Sequence, residues 1–279
     1  MSTQTAASFK KETLAYIRTK KLLIISLVII GMAILSPLFI AGLGALMDAM
    51  SDIYDELGMD ISGMTDILST SVSTGVTSSV SDITGTAIIV LILMLNSAAG
   101  GEQKKRSVII PKSSGLKSFS YIFPKFIIYP VSALVCAIIG MFASWGVSIL
   151  LFDINDVTFI GVLLAGIISG VCLMLYVCFH LTLGTATGQA GMSAAVCISA
   201  AILLSNIFAL VNVDYMYNPF ALNILAATTI HSGSLTAAGT MNIVITLLFT
   251  FGLMILSYLI ALFAQNARKI DNTGNEIDL

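Results

Sequence analysis

Long runs of uncharged, apolar residues constrain this chain more strongly than any other feature. A helix needs about 20 mostly apolar residues to cross about 30 Å of membrane hydrocarbon. Six runs approach or exceed that length: 22–47, 83–99, 126–152, 157–183, 192–211 and 241–265. The mean hydropathy of +0.99 and the 57% share of hydrophobic residues are typical of a membrane protein. We therefore predict an all-α, polytopic membrane protein with six transmembrane helices.

Two of these runs have ambiguous starts. The second run follows a Ser/Thr-rich stretch that begins near Ser69, so its outer boundary is not defined by the sequence. The first run follows basic residues, as the apolar part of a signal peptide would. That part is usually about 7–15 residues long and is followed by a small-residue cleavage site. This run is much longer and no such site is evident, so we expect a retained membrane anchor.

Lysine and arginine are confined to one side of the predicted bundle. All 13 lie in residues 10–21, in residues 104–125 or at positions 268 and 269. Cytoplasmic loops keep an excess of these residues, so both termini are predicted to be cytoplasmic, with a cytoplasmic tail at 266–279. The connection 48–82 contains acids and no basic residue, which predicts an acidic outer loop.

Several site chemistries find no support in the sequence. Cys136, Cys172, Cys178 and Cys197 all fall inside predicted spans, where we expect buried apolar thiols rather than disulfides or a metal site. The His-Glu-x-x-His pattern of metalloproteases is absent. His180 is the only histidine in a predicted span, and we expect it to be neutral and hydrogen-bonded, although spacing alone does not exclude a serine–histidine site.

Gly100-Gly101-Glu102-Gln103 looks like the glycine-rich signature of an ATP-binding-cassette ATPase. Such an ATPase also needs the phosphate-binding pattern G-x-x-x-x-G-K-[ST]. No Gly-Lys pair occurs in this chain, so we expect no nucleotide or other cofactor to be bound by it, and no enzymatic activity.

The predicted cytoplasmic connection, residues 100–125, has the composition of a docking surface. It begins with Glu102 and continues through a basic cluster of Lys104, Lys105 and Arg106. The segment from Ser114 onward is amphipathic, and its apolar side chains include Leu116, Phe119, Tyr121 and Ile122. Because Pro111 and Pro124 flank this segment, we predict a short interfacial helix between them. The alternative is a basic loop held to anionic lipid headgroups.

The order of these features resembles the ABC-2 type permeases, the membrane subunits of a class of ATP-binding-cassette exporters. Members begin with an amphipathic cytoplasmic helix, and residues 1–21 are similar. Their second span leads into a segment that starts with Glu and is followed by a proline and by a lysine at the third span. Glu102, Pro111 and Lys125 fill these positions. The resemblance implies that residues 102–125 contact the ATPase subunit.

The resemblance extends to the outer side. Family members carry short outer helices between spans five and six, often opened by an Asn/Ser-Pro-Phe element. The sequence YNPFALNILAATTIHSGSL, within residues 212–240, is similar. Its apolar stretch is too short to span the membrane, so we expect an interfacial or re-entrant segment. The long acidic loop 48–82 departs from the family pattern.

The resemblance implies an exporter subunit in a cell membrane, specifically a bacterial plasma membrane. A second permease subunit, identical or related, and a cytoplasmic ATPase that binds ATP and Mg²⁺ would be its partners, together with the lipid bilayer and without nucleic acid. The almost uncharged spans favour a hydrophobic or amphipathic substrate, such as a peptide. Asn96, Ser205 and Asn206 are candidates for lining the path, although interhelical hydrogen bonds explain them equally well.

Two other functions remain open. In an ATP-independent channel or secondary transporter, the basic loop would only fix the orientation. Ion-driven carriers usually place acids or histidines within their spans, and no predicted span here has a clear central acid or base. A membrane anchor without a transport path is the third possibility.

Overall fold

A computed structural model describes residues 3–56, 71–102, 115–210, 218–232, 240–267, 269–270 and 276–277. In chain order the elements are α1 (Thr3–Arg18), α2 (Lys21–Glu56), α3 (Val72–Thr84), α4 (Thr86–Asn96), a π-helix (Ser97–Gly101), α5 (Ser118–Leu151), α6 (Phe159–Thr187), α7 (Ala190–Leu210), a 3-10 turn (Pro219–Ala221), α8 (Leu222–Ser232), α9 (Thr240–Ala267), β1 (Lys269–Ile270) and β2 (Glu276–Ile277). Helices thus make up almost all of the described residues. The two short strands pair antiparallel.

Among the described residues, five segments are long and apolar enough to cross a membrane. They are Lys21–Met47, Val72–Gly101, Ser118–Leu151, Phe159–Thr187 and Ile243–Ala267. The fifth predicted span corresponds to α7, an apolar helix whose described side chains extend only to Leu204. The chain is therefore a multi-pass membrane protein.

Helix α1 lies against the bundle through one face. Its buried residues are Thr5, Glu12 and Tyr16, whose spacing places them on one side of the helix. Lys20 has a positive φ of 56° and separates α1 from α2. We call this end of the bundle, where α1 meets the start of α5, the basic end.

The second span begins at Val72, well before the predicted start near residue 83. Its serines explain the difference, because they make hydrogen bonds inside the bundle. Ser79 donates to the Ala33 carbonyl over 2.9 Å and lies 2.6 Å from the Ser144 hydroxyl. At the helix start, the Ser73 amide and hydroxyl both donate to the carboxylate of Asp156. Part of the predicted acidic loop 48–82 is therefore helix.

This span is interrupted twice. Gly85 separates α3 from α4 with φ −102° and ψ −78°. At the other end, residues 97–101 form a π-helix, in which the Glu102 amide donates to the Ser97 carbonyl. π-helical turns are rare and occur frequently at functional sites.

Helix α5 is continuous from Ser118 to Leu151 and contains both Pro124 and Pro130. The chain break expected at Pro124 is absent, so the prediction of a separate short helix was wrong. Tyr121 and Ile122 belong to the first turns of the third span, and they pack with Ala261 near the end of α9. Burial of this apolar surface outweighs the helix bond that the proline removes.

Helix α6 is the most buried span and contacts most of the other helices through small residues. A Cβ added at Gly170 would lie 3.0 Å from the Leu134 Cα, and one added at Gly184 would lie 2.6 Å from the Ala99 backbone. Gly188 ends the helix in the left-handed conformation, with φ 68°. Close helix contacts of this kind need residues without side chains.

The segment between α7 and α9 contains a short helix, as predicted. The Asn218 side chain accepts from the Phe220 amide over 2.9 Å and so caps the 3-10 turn, and α8 follows with 11 residues. At about 1.5 Å per residue, α8 is too short to cross the membrane. It packs on the start of α6, where Gly161 leaves room for the Thr229 carbonyl.

Candidate docking and coupling site at the basic end

Lys125 is the centre of a buried polar cluster at the basic end. It lies inside α5, seven residues after its start, and only 1% of its surface is exposed. The sequence suggested a lysine at the hydrated start of the third span, so its burial is a finding of the structure. Lysine is almost never fully buried unless it is paired, and its partners define the site.

The Lys125 ammonium group uses all three of its donors. It donates to Glu102 Oε2 over 2.6 Å, to the Tyr121 hydroxyl over 2.9 Å and to the Ala98 carbonyl over 3.2 Å. The Tyr121 hydroxyl in turn donates to Glu102 Oε2 over 2.7 Å. The end of the second span, through Ala98 and Glu102, therefore meets the start of α5 at one nitrogen atom.

Helix α1 contributes a second carboxylate to the cluster. Glu12 is buried, and its Oε1 atom lies 4.0 Å from Lys125 Nζ. Its Oε2 atom accepts a hydrogen bond from the Tyr129 hydroxyl over 3.0 Å. Tyr16, one turn further along α1, meets the Tyr129 ring edge-on with a centroid distance of 4.9 Å, and its hydroxyl lies 2.9 Å from Ser132 Oγ.

The cluster combines side chains of opposite charge. The carboxyl groups of Glu12 and Glu102 face the Lys125 ammonium group, and the charge of Lys11 also acts on Glu102. Burial opposes ionisation of Glu102, but the Lys125 charge and the hydrogen bonds from Lys125 and Tyr121 outweigh it and lower the pKa of Glu102. Burial also raises the pKa of Tyr16 to about 12, although its hydrogen bond with Ser132 acts in the opposite direction. Removing one partner of such a pair leaves an uncompensated charge, at a typical cost of about 3–5 kcal/mol.

The π-helix connects this cluster to the middle of the bundle. Its Ala98 carbonyl is bound by Lys125, and the Ser97 hydroxyl accepts a hydrogen bond from Lys21 at the start of α2. On its other side, Gly100 packs so closely on α6 and α7 that an added Cβ would lie 2.7 Å from the Gly184 carbonyl. A displacement at the cluster would therefore reach four spans through direct contacts.

Four aromatic rings join the same region to α9. Phe119 and Phe123 are stacked with a centroid distance of 5.0 Å, and both meet Tyr258 edge-on. Phe126 completes the group, 5.5 Å from the Tyr258 ring. Phe119 remains 46% exposed. This group presents an aromatic surface outward and anchors the end of α9 inward.

A cleft of about 330 Å³ opens between α1 and the start of α5. Described residues of both helices line it: Gln4, Ala7, Ser8, Lys11, Leu116 and Tyr121, with Glu12 at its base. Lys11 is exposed at the mouth. The cleft therefore combines a basic rim, a polar floor and an apolar wall, a composition suited to a protein side chain that inserts from outside.

The structure separates the predicted docking residues into three groups. Phe119 is exposed and Leu116 is half-buried, so both are accessible to a partner. Tyr121 and Ile122 are buried, so a partner cannot reach them directly, whereas the Glu102 side chain is 30% exposed and accepts the hydrogen bond of the Tyr121 hydroxyl. Lys104, Lys105, Arg106 and Ser114 lie outside the described residues.

Comparison with known proteins does not assign the chain to a family or a function. No protein-family model, no curated protein and no solved structure matches this chain. The resemblance to ABC-2 permeases therefore depends on the sequence features alone, and any function must be argued from the site itself.

Two residues of the cluster, Glu12 and Tyr129, were not anticipated from the sequence. A weak signal was present: Glu12 and Tyr16 are four residues apart on α1 and so share a face. Tyr121, Lys125 and Tyr129 are likewise spaced by four on one face of α5. The long-range pairing of the two faces is a tertiary property.

Of the three weak path candidates, the structure describes the side chain of Asn96 alone. Asn96 lies at the end of α4, and its buried Oδ1 atom accepts no hydrogen bond from the residues that the structure describes. Ser205 and Asn206 lie in α7, but their side chains are outside the described part.

His180 has a close partner that spacing did not reveal. Its Nδ1 atom lies 2.9 Å from Ser193 Oγ, and that hydroxyl also donates to the His180 carbonyl over 2.7 Å. Because the Ser193 hydroxyl donates its one proton to the carbonyl oxygen, it can only accept a hydrogen bond from Nδ1. This arrangement ties α6 to α7 and is opposite to an activated serine, whose proton must point to the histidine.

Proposed function

We propose that this chain is the membrane-spanning subunit of an ATP-driven exporter of the ABC-2 type. The observation that carries the proposal is the Lys125 cluster, which joins α1, the end of the second span and the start of the third span in one buried network. A transport subunit driven from outside needs such a rigid junction, since movement imposed on a loose loop would not reach the spans.

The surface around the cluster supports a protein partner. The cleft between α1 and the start of α5 and the exposed ring of Phe119 both lie at the basic end. Residues 103–114, with their basic cluster, connect directly to this region. Aromatic residues and arginine are enriched in protein interfaces. Phe119 is the exposed aromatic residue here, and Arg106 is the arginine of the connection.

The proposed topology has six spans, with α7 as the fifth, and places the basic end in the cytoplasm. The distribution of all 13 basic residues supports this orientation. Two copies, or one copy and a related subunit, would pair around a central path. Each would present its basic end to an ATPase that binds ATP and Mg²⁺.

The proposed mechanism uses the contacts of the cluster in sequence. ATP draws the two ATPases together and displaces residues 102–125. Lys125 transfers this displacement to α1 through Glu12 and to the second span through Ala98, while Tyr258 transfers it to α9. The spans then shift between an inward state and an outward-releasing state, because nucleotide favours one of them. A hydrophobic or amphipathic substrate would be moved outward.

The test is co-purification of an ATPase with the tagged protein from native membranes in mild detergent. The docking variant replaces Lys104, Lys105 and Arg106 with alanine and leaves Glu102 intact, because Glu102 belongs to the buried cluster. The control variant replaces Asp153 and Asn155, which are exposed at the opposite end. We expect the native chain and the control to retain ATPase activity, and the docking variant to lose most of it.

Absence of an ATP-binding partner from the native chain would overturn the proposal. Equal recovery of the ATPase with the docking variant and with the control would show that the chain has an ATPase partner. It would contradict the proposed location of the docking site. Melting temperatures of the three proteins, compared in the same detergent, exclude unfolding as the cause of any loss.

A secondary transporter is the second candidate, and His180 is the observation that favours it. This side chain is fully buried within a span, and its Nε2 atom has no hydrogen-bond partner among the described residues. Buried intramembrane histidines can serve in proton relays. Uptake or efflux in liposomes that follows an imposed proton gradient, and that is lost in His180→Gln, would support this function instead.

A further inference from the structure

A second region of interest lies away from the basic end, at the interruption of the second span. A partly open cavity of about 310 Å³ is lined there by the α3–α4 break, α6, α7 and the 3-10 turn with α8. Hydroxyl, amide and aromatic groups line it: Ser81, Thr84, Thr86, Tyr176, Phe220 and Asn223. Its volume is at the lower end of the range for small-molecule sites.

An apolar groove continues on the other side of Tyr176. It holds about 340 Å³ between α6, α7 and α9, and its walls include Phe179, Leu183, Leu253 and Leu256. Leu256 is 51% exposed and Val196 is 48% exposed. In a membrane, the groove would therefore be open to lipid along its side.

The cavity and the groove follow one another along the same helix pair. On α6 the cavity uses Cys172 and Tyr176, and the groove continues from Tyr176 to Ala186. On the antiparallel α7 the order is reversed, with Ala201 and Ile202 in the cavity and residues 196–200 in the groove. The 14-residue separation of positions 172 and 186 corresponds to about 21 Å along α6. Tyr176 lines both spaces and marks the boundary between them.

The polar half of this region accepts hydrogen bonds and carries no charge. No Asp, Glu, Lys or Arg is among the described residues that line either space. The Asn223 Oδ1 atom is buried and has no hydrogen-bond donor among the described residues. A buried acceptor of this kind is stabilised by a donor from a ligand, whereas a charged headgroup would find no counter-ion here.

We propose that the cavity and the groove form one binding site for an uncharged, single-chain amphiphile. The hydrocarbon chain occupies the groove between α6, α7 and α9. The hydroxyl-bearing or amide-bearing headgroup occupies the cavity and donates to Asn223, with Tyr176 at the junction. The binding site is proposed independently of the exporter function. The further assignment of this amphiphile as the exported substrate rests on the proposed function.

Binding is tested with purified protein and three probes that share a 12-carbon chain. Monododecanoyl glycerol has an uncharged hydroxyl headgroup, dodecanoate is anionic, and dodecanoyl lysophosphatidylcholine is zwitterionic. Native mass spectrometry after release from detergent measures the retained probe. We expect monododecanoyl glycerol to bind at least tenfold more tightly than either charged probe.

Two variants and a matched control locate the site. Ala200→Trp fills the groove, and Asn223→Leu removes the acceptor in the cavity. Ala195→Trp introduces the same indole at an exposed position of α7 that lines neither space. We expect the first two variants to weaken binding of monododecanoyl glycerol about tenfold, and the control to bind like the native protein.

Equal retention of the three probes, or equal binding by Ala200→Trp and Ala195→Trp, would overturn the proposal. If Ala200→Trp does not fold, photolabelling of the native protein with a diazirine-bearing monoacylglycerol gives the answer. Labels on residues that line the two spaces, on α6 and α7 between positions 172 and 202 or on α9 between positions 253 and 260, support the site, and labels on residues that line neither space contradict it. Because no ATPase is present, a negative result leaves the proposed function intact. Stimulation of a co-purified ATPase by the same probe tests the substrate assignment separately.

Discussion

The Lys125 ammonium nitrogen lies 2.6 Å from Glu102 Oε2. This contact joins the residue that follows the second span to the first turns of the third span. Glu102 directly follows the π-helix, and Lys125 lies two turns inside α5. The connection between them, which carries the basic cluster, therefore begins and ends at one buried ion pair. A force applied to this connection acts on both helices together.

Replacement of the buried lysine tests how much this contact contributes to the stability of the folded protein. Lys125→Met keeps an unbranched apolar side chain at this position but removes the ammonium group that faces Glu12 and Glu102. We expect a loss of about 3 kcal/mol in stability, near the low end of the range for broken buried pairs, because the Glu102 side chain is 30% exposed. The measurement is thermal or denaturant unfolding in detergent.

Lys117→Met is the control for this substitution, since Lys117 is exposed immediately before α5. We expect its stability to lie within about 0.5 kcal/mol of the native value, as for most surface changes. A second comparison uses Glu102→Gln combined with Lys125→Met, which removes both members of the pair and should cost less than the sum of the two single changes. Strict additivity would contradict the pairing.

The same pair predicts how stability depends on pH. The pKa of Glu102 is lower in the folded protein than in the unfolded chain, so its ionised form stabilises the fold. This contribution is complete above the ordinary glutamate pKa of about 4.3, and it is lost as the pH falls through the lower, folded-state pKa. We expect the melting temperature to decrease on acidification, and to decrease less in Glu102→Gln. Parallel pH profiles for the two proteins would show that Glu102 does not contribute.

Helix packing behind the π-helix gives a prediction at Gly184. A Cβ at this position would lie 2.6 Å from backbone atoms of Ala99, which cannot move without shifting the second span. Gly184→Ala should therefore destabilise the protein by about 1–3 kcal/mol, as expected for overpacking. In the control, Gly191→Ala, the new methyl group meets nothing within 4 Å, and a slight stabilisation is expected from helix propensity. Equal melting temperatures for the two variants would refute the close contact.

Attachment of α1 to the bundle can be tested at Tyr16. Tyr16→Phe keeps the ring against Tyr129 and removes only the hydrogen bond to Ser132, which is worth about 1 kcal/mol. We expect faster amide hydrogen exchange throughout α1, with little change in the spans. Lys10→Gln, at an exposed position of α1, should exchange like the native chain. Unchanged exchange in Tyr16→Phe would mean that α1 is held by other contacts.

The sequence was sufficient for features that depend on local composition. Apolar length alone predicted the helical class and the positions of most spans, and the resemblance to ABC-2 permeases implied a helix within residues 1–21, where the structure has α1. Features that depend on tertiary pairing were missed. The start of the second span could not be found because its Ser79 resembles a loop residue until its partners, Ala33 and Ser144, are known.

The sequence predicted the local features of the candidate site and missed those that depend on tertiary pairing. The sequence indicated the connection 100–125 and singled out Glu102, because charge and aromatic residues are locally concentrated there. It could not indicate that Glu12 approaches Lys125 from a helix more than 100 positions earlier. It also suggested a break at Pro124, since proline usually interrupts helices. Packing of Tyr121 and Ile122 on α9 keeps the helix intact through that residue.

The central claim, that an ATPase docks at the basic end, is tested most directly by site-specific crosslinking in intact membranes. A photoreactive amino acid replaces Phe119, which is exposed at the basic end, or Asn155 at the opposite end as the control. We predict that the probe at position 119 captures an ATP-binding-cassette ATPase, and that the probe at position 155 does not. Capture of lipid or of the chain itself alone at position 119, with no ATP-binding protein, would contradict the account.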